Sequence, residues 1–299
     1  MFDGLDVDGD ADIAVAMLDS RGLHTTGVKA AQPVFSVTKM FVATAALRLI
    51  ESGRLALDDE VSRRVPQAPS GITVRHLLGH TSGLPDYASA PAYLDAVAAR
   101  PAQPWSLEQI ASIALAGDRS APGRFRYCNL GYWLLGAFIE EVTATPLEQT
   151  LAEVVFEPAG MASTSYPAPG AGLTETGYDT RWAGPAGAAW ATPADLVRFL
   201  TELLERPLLS VPSLAAMTTV TPVAAGPPWR EPGYGLGLMI DGWHHTFGHG
   251  GSGPGYSSAA FVVPGLGRSV AMIARSSAGA DLSAPALRFL QTDHRAAGQ

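Results

Sequence analysis

Apolar residues from Ile13 to Leu18 form a short strand-like block, Ser20-Arg21-Gly22 breaks it with turn residues, and Leu23 to Val28 resumes the same character. The pattern predicts an N-terminal β-hairpin. After Pro33, the stretch from Ser36 to Ser52 is rich in helix formers with apolar positions on nearly every face, and Gly53 stands where a helix is commonly closed. A helix that is apolar all round is a buried one, so this segment is expected in the middle of the fold.

From about Leu57 to Trp190 short helical patterns alternate with turns rich in Pro, Gly and Ser, including Leu107 to Ala116, Leu130 to Val142 and Leu147 to Phe156. At Thr192-Pro193-Ala194-Asp195 a capping Thr, a Pro and an acid announce another helix, which runs to about Leu204. Strand character returns at Gly235 to Ile240, Ser258 to Val263 and Ser269 to Ala274, before a closing helix from about Leu282 to Leu290. Sheet material at both ends around a helical middle predicts the α+β class. Residues 1–56 and 191–299 are expected to build the sheet domain and 57–190 a mainly helical insertion. No internal repeat is visible.

Composition sharpens this picture. The chain of 299 residues is 47% hydrophobic and 16% charged, enough apolar material for a sizeable core. A net charge of -8 and a pI near 5.3 exclude a protein built to hold phosphate backbones, so nucleic acid is not an expected partner. The sole cysteine, Cys128, has no partner for an internal disulfide, and the N-terminus lacks the basic and apolar regions of a secretory signal; the expected location is the cytoplasm. No apolar run reaches the roughly 18 residues of a membrane span, the stretch from Met40 to Ile50 being cut by Thr44 and Arg48. Of the 20 basic residues only Lys29 and Lys39 are lysines. A lysine kept inside an apolar helix is therefore conspicuous.

Ser36-Val37-Thr38-Lys39 places a hydroxyl and an amine at i and i+3, on one helix face and within reach of each other. Serine is a weak nucleophile until its proton is removed, and a desolvated lysine has its pKa lowered toward the range in which it can remove one. A helix start at Ser36 adds a backbone N–H and a positive dipole end where an oxyanion forms. The alternative is a capping serine with an unrelated lysine. Tyr127-Cys128-Asn129 precedes the helix near Leu130: the phenol can carry a proton, and the amide can hold a lysine or donate to a substrate carbonyl. Taken singly, such residues also serve packing and capping. His249-Gly250-Gly251-Ser252-Gly253 lets a substrate approach backbone closely, with the Ser252 N–H as a second oxyanion donor; a plain glycine turn is the alternative.

Three further signals point elsewhere and carry less. His76 and His80 have metal-site spacing on an expected helix, but Leu77, Leu78 and Gly79 between them leave no general-base Glu, and no metal is expected. The segment Gly248 to Gly253 fits a dinucleotide-binding pattern, yet Pro254 and Gly255 follow where a helix should start, and no cofactor is expected. Asp6, Asp8 and Asp10 lack the glutamate of a calcium loop and read as a solvated acidic arm. The Gly-x-Ser-x-Gly pentad of α/β-hydrolases does not occur.

The three motifs in this order resemble those of the penicillin-recognising serine hydrolases, the group of class C β-lactamases, serine D-alanyl-D-alanine carboxypeptidases, D-aminopeptidases and related esterases. The resemblance extends through Leu55-Ala56-Leu57-Asp58-Asp59, Ile72-Thr73-Val74-Arg75-His76-Leu77-Leu78, His80-Thr81-Ser82-Gly83-Leu84-Pro85, Phe125-Arg126-Tyr127-Cys128-Asn129-Leu130-Gly131-Tyr132 and Pro158-Ala159-Gly160-Met161. It implies a β-lactamase/transpeptidase-like fold, an antiparallel sheet flanked by helices with an all-α insertion, and an active site at the junction. It further implies that Ser36 is acylated, that Lys39 and Tyr127 move protons, that Asn129, His249, Gly250, Gly251 and Ser252 bind substrate, and that His80 belongs to a structural turn. The implied partner is a small-molecule or short-peptide acyl substrate. Two departures stand out. Cys128 replaces the usual serine, and His249 replaces the lysine of most β-lactamases, which weakens the expectation of β-lactam turnover. A histidine of ordinary pKa, about 6.5, would read a substrate carboxylate only as pH falls, unless Arg126, Arg181 or Arg230 compensates.

Overall fold

The computed structural model describes residues 12–168, 170–206, 208–275 and 281–292, so the acidic arm of Asp6, Asp8 and Asp10 lies outside the described residues. The N-terminal hairpin forms as β1 (Asp12–Asp19) and β2 (Gly22–Thr26). A two-residue strand β3 (Gln32–Pro33) leads to a 3₁₀ turn at Phe35–Val37 and then to α1 (Thr38–Glu51). The middle of the chain carries α2 (Val74–Leu78), α3 (Pro91–Ala99), α4 (Leu107–Leu115), α5 (Asn129–Thr143) and α6 (Leu147–Leu151). Then follow β4 (Trp190–Ala191), α7 (Pro193–Leu204), α8 (Val211–Met217) and the strands β5 (Thr221–Pro222), β6 (Pro232–Tyr234) and β7 (Met239–Asp241). The long strands β8 (Thr246–Gly253), β9 (Tyr256–Val263) and β10 (Arg268–Arg275) and the helix α9 (Ser283–Thr292) complete the fold.

Strands from both ends of the chain share one eight-stranded antiparallel sheet in the order β2-β1-β10-β9-β8-β7-β6-β5, while β3 and β4 pair separately. Both faces of its centre are covered. Alternate residues of β9 and β10 divide between two cores: Ala260, Val262, Ala271 and Ile273 face the large core, while Ala259, Phe261, Val270 and Met272 pack with Leu282, Leu287 and Leu290 around α9. This is why Ala259 to Val263 of β9 read as an apolar run without alternation; all eight residues of the strand are buried.

Helix α1 sits inside the large core with Met40, Phe41, Val42 and Ala43 fully buried, and each large apolar side chain so placed contributes about 1.5–3 kcal/mol. Its end is set by Gly53, whose φ of +70° suits glycine; Gly53 N donates to Ile50 O at 2.9 Å and Arg54 N to Leu49 O at 2.9 Å. Thr192 caps α7 by accepting from Asp195 N at 3.1 Å, with Pro193 at the first helical position.

Four expectations are corrected. The helix anticipated from Ser36 begins at Thr38, because Phe35 has φ +43° and the chain enters through a 3₁₀ turn. Of the strand anticipated from Gly235 to Ile240 only Met239 and Ile240 form strand, in β7; the residues before them make the connection from β6 through a turn at Gly237, φ +84°, where a Cβ would stand 2.4 Å from Ala43 Cβ of α1. The glycine segment after His249 is strand β8, not a turn. His80 is not on the helix that carries His76: it follows α2 with φ +54°, and His76 Nδ1 instead accepts Thr73 N–H in a capping box. Among the described residues no helix is long and apolar enough to cross a membrane.

Candidate active site

The start of α1, the entry to α5, the turn Gly184–Ala186 and strand β8 converge around Lys39 Nζ. The Lys39 side chain is fully buried, and its amine lies 2.9 Å from Ser36 Oγ, 2.9 Å from Asn129 Oδ1 and 2.7 Å from Ala186 O. An amide oxygen and a peptide carbonyl can only accept, so two N–H bonds point at Asn129 and Ala186 and the third direction is left to Ser36. An ammonium donates to Oγ there; a neutral amine presents its lone pair to the serine proton. Burial favours the neutral form and outweighs the opposing pull of Asp86 and Cys128, which lowers the lysine pKa to about 7. Both forms are therefore populated near neutrality.

Tyr127 closes the other side. Lys39 Nζ is 4.9 Å from its ring centroid, the phenol hydrogen-bonds with Ser36, and burial raises its pKa well above the ordinary value, so the phenol is protonated in the working range. His80 backs the same ring at a centroid distance of 4.2 Å, and its Nδ1 accepts the Cys128 N–H at 3.2 Å. That bond fixes the direction in which the chain leaves Tyr127 for Asn129. Cys128 itself is fully buried with Sγ 3.3 Å from Pro85 O, and burial pushes its thiol up to about 12. It is far from the thiolate form that reactivity requires.

The Ser36 turn is held from two directions. Ser258 Oγ of β9 donates to Val34 O at 2.6 Å, and β8 lies against the same segment so closely that a Cβ on Gly251 would stand 2.3 Å from Val34 O and 2.9 Å from Ser36 N. Gly253 plays the same part against the Phe35 ring. Of the three glycines of β8 after His249, Gly251 lets two backbones meet, Gly253 makes room for the Phe35 ring and Gly250 for the Ser283 side chain, and Ser252, exposed, lines a cleft of about 240 Å³ with Ser36 and Asn129.

Three residues of this arrangement have no signal in the sequence. Asp86, 43 residues before Asn129, accepts both its backbone N–H and its side-chain Nδ2–H, each at 2.9 Å, and so turns the amide oxygen toward Lys39. Ala186 acts only through its carbonyl, and Tyr234 through a bond to His249.

His249 departs from expectation. It is fully buried, its Nδ1 donates to Gly250 O, and its Nε2 accepts from the Tyr234 phenol at 3.1 Å. Burial, helped by the Lys39 charge, lowers its pKa to about 3. It does not titrate between pH 6 and 8, and neither ring nitrogen is left for a substrate carboxylate. The arginines do not compensate: Arg126 donates to Asp118 O, Arg181 forks onto Asp179, Arg230 stacks over Trp243, and none lines the cleft.

A family model described as Beta-lactamase matches residues 10–292. The penicillin-binding protein PbpX of Bacillus subtilis (strain 168) is 31% identical over 224 residues, 69% of this chain and 53% of that protein. Penicillin-binding protein 4 of Amycolatopsis lactamdurans is 28% identical over 275 residues, 80% of this chain and 70% of the other. The chain thus spans about half the length of PbpX and more of the second relative. The structure of a D-stereospecific amidohydrolase from Streptomyces sp. superposes with a TM-score of 0.80 at 27% identity, covering 97% of this chain and 95% of that one. Taken with the β-lactamase/transpeptidase-like architecture and a family match over nearly the whole sequence, these likenesses establish that the chain belongs to the beta-lactamase family of serine hydrolases.

Proposed function

We propose that the protein forms an acyl-enzyme on Ser36 and hydrolyses an ester, an amide or a D-amino-acid peptide. The observation that carries this reading is the buried Lys39 amine, held by two acceptors and aimed at Ser36 Oγ, with its pKa lowered to about 7. Neutral Lys39 takes the serine proton as Oγ attacks the acyl carbon. The oxyanion develops toward the backbone N–H groups of Ser36 and Ser252. Tyr127, bonded to Ser36 and facing Lys39, passes a proton to the leaving group, and water reverses the sequence to release the acid. Asn129 holds Lys39 and keeps one amide N–H for the substrate carbonyl. The D-stereospecific amidohydrolase likeness supports amide substrates. The names of the two relatives favour a second reading, a β-lactamase or a slow penicillin-binding protein whose acyl group stays in place. A stoichiometric burst without turnover on every ester and amide tried would select that reading.

The pH profile tests the role of Lys39. The amine works in its neutral form, so activity is present above its pKa and lost as pH falls through it. For a neutral ester, log kcat/KM should rise with unit slope to about pH 7 and then level. His249 at about 3 and the raised Tyr127 add no break between pH 6 and 9. A break near the ordinary lysine value of about 10.4, or a flat profile from pH 5 to 9, would contradict the assignment.

A further inference from the structure

We propose that the cleft beside Ser36 is a side-chain pocket that selects acyl groups carrying a compact, uncharged aromatic or branched aliphatic substituent, with Leu94 of α3 as a specificity-determining residue. This rests on the reading of Ser36 as the acylated residue and goes beyond it in naming the substrate class.

The wall opposite Ser36 is apolar and aromatic: Tyr87, Tyr93, Leu94, Val97, Tyr178 and Ala183. Its tyrosines are buried, and each phenol oxygen is engaged in a hydrogen bond within the protein. The Tyr87 phenol accepts Trp133 Nε1–H at 2.8 Å, Tyr93 Oη donates to Trp182 O at 3.3 Å, and Tyr178 is hydrogen-bonded to Tyr93. Burial raises the pKa of all three, so none becomes an anion in the working range. Among the described residues no charged side chain lines the cleft. Asp86, next along the chain from Tyr87, has an Asn129 donor on each carboxylate oxygen. A substrate carboxylate or ammonium therefore finds no partner in the wall, whereas a buried charge without one is strongly disfavoured.

Only Tyr93 of helix α3 is buried, while Leu94 is left 51% exposed at the cleft. Exposed aliphatic surface beside a reacting serine gains when a substrate group covers it. The cleft of about 240 Å³ lies below the roughly 300 Å³ at which pockets for drug-sized ligands begin, a size that suits one ring or one branched chain of the acyl group.

The test compares p-nitrophenyl acetate, phenylacetate and hemisuccinate on the wild-type protein and on Leu94→Arg, a change at an exposed position that leaves the core intact. The expected result is a wild-type kcat/KM at least about tenfold higher for phenylacetate than for acetate, with hemisuccinate the poorest. In Leu94→Arg the phenylacetate-to-acetate ratio should collapse toward one and the hemisuccinate-to-acetate ratio should rise. Equal wild-type constants for the three esters, or ratios unchanged in Leu94→Arg, overturn the pocket while leaving the Ser36 reading in place. Failure of the wild type to hydrolyse or be acylated by any of them overturns both.

Discussion

Replacing Ser36 with alanine is expected to remove turnover of every acyl substrate and all labelling by a fluorophosphonate or penicillin probe, a loss of at least about 10⁴-fold in kcat. The hydroxyl is the hydrogen-bond partner that the Lys39 amine can deprotonate, since Asn129 Oδ1 and Ala186 O, which occupy its other two directions, carry no proton. The substitution deletes one oxygen from a partly exposed side chain and leaves the clamp of Ser258 on Val34 untouched, so the protein should stay folded. Unaltered thermal unfolding together with lost labelling is the expected pair of readings. Labelling that survives in the variant would remove Ser36 from the mechanism.

Replacing Lys39 with methionine should be nearly as damaging, on the order of 10³- to 10⁴-fold in kcat/KM, because it keeps the aliphatic stem and deletes only the base. A tenfold rate corresponds to about 1.36 kcal/mol, so the loss amounts to about 4–5 kcal/mol of transition-state stabilisation. The variant also orphans Asn129 Oδ1 and Ala186 O, and unsatisfied buried acceptors cost about 1–3 kcal/mol each. Stability must therefore be read alongside activity, at a temperature where both proteins are folded. Lys29→Ala is the matched control: Lys29 is exposed, and its loss removes the same charge without touching Ser36. Equal losses in the two variants would show that net charge, not position, matters.

The parts of this molecule that were legible in its sequence are those decided locally. The N-terminal hairpin is announced by Ser20-Arg21-Gly22, the end of α1 by Gly53, and the start of α7 by Thr192 and Pro193, because each depends on backbone preferences and bonds that span a few residues. The pairing of Ser36 with Lys39 is likewise local, made across the i to i+3 spacing of the 3₁₀ turn that leads into α1. What failed depended on partners distant in the chain. A run of glycines reads as a turn, but β8 is a strand because β9 pairs with it along its length and because side chains there would collide with Val34, Phe35 and Ser36. Asp86 gives no hint of its bond to Asn129, and Ala186 cannot be singled out as a carbonyl 147 residues from the lysine it holds. His249 illustrates the limit most clearly. Its identity suggests a group that titrates near neutrality, whereas complete burial and a cationic neighbour carry it to about 3, and burial is a property of the fold.

Cys128 marks the opposite case, where a reactive residue type is silenced by its surroundings. It lies between Tyr127 and Asn129, yet it is fully buried, its Sγ is bonded to Pro85 O, and burial pushes its thiol up to about 12.

Locating the covalent adduct decides whether Ser36 is the nucleophile. The wild-type protein, treated with a fluorophosphonate, digested and sequenced by tandem mass spectrometry, should carry one modification per chain on Ser36, formed faster above pH 7 than below it. An adduct on Ser252, Cys128 or any other residue, with Ser36 unmodified while ester hydrolysis is abolished, would contradict it.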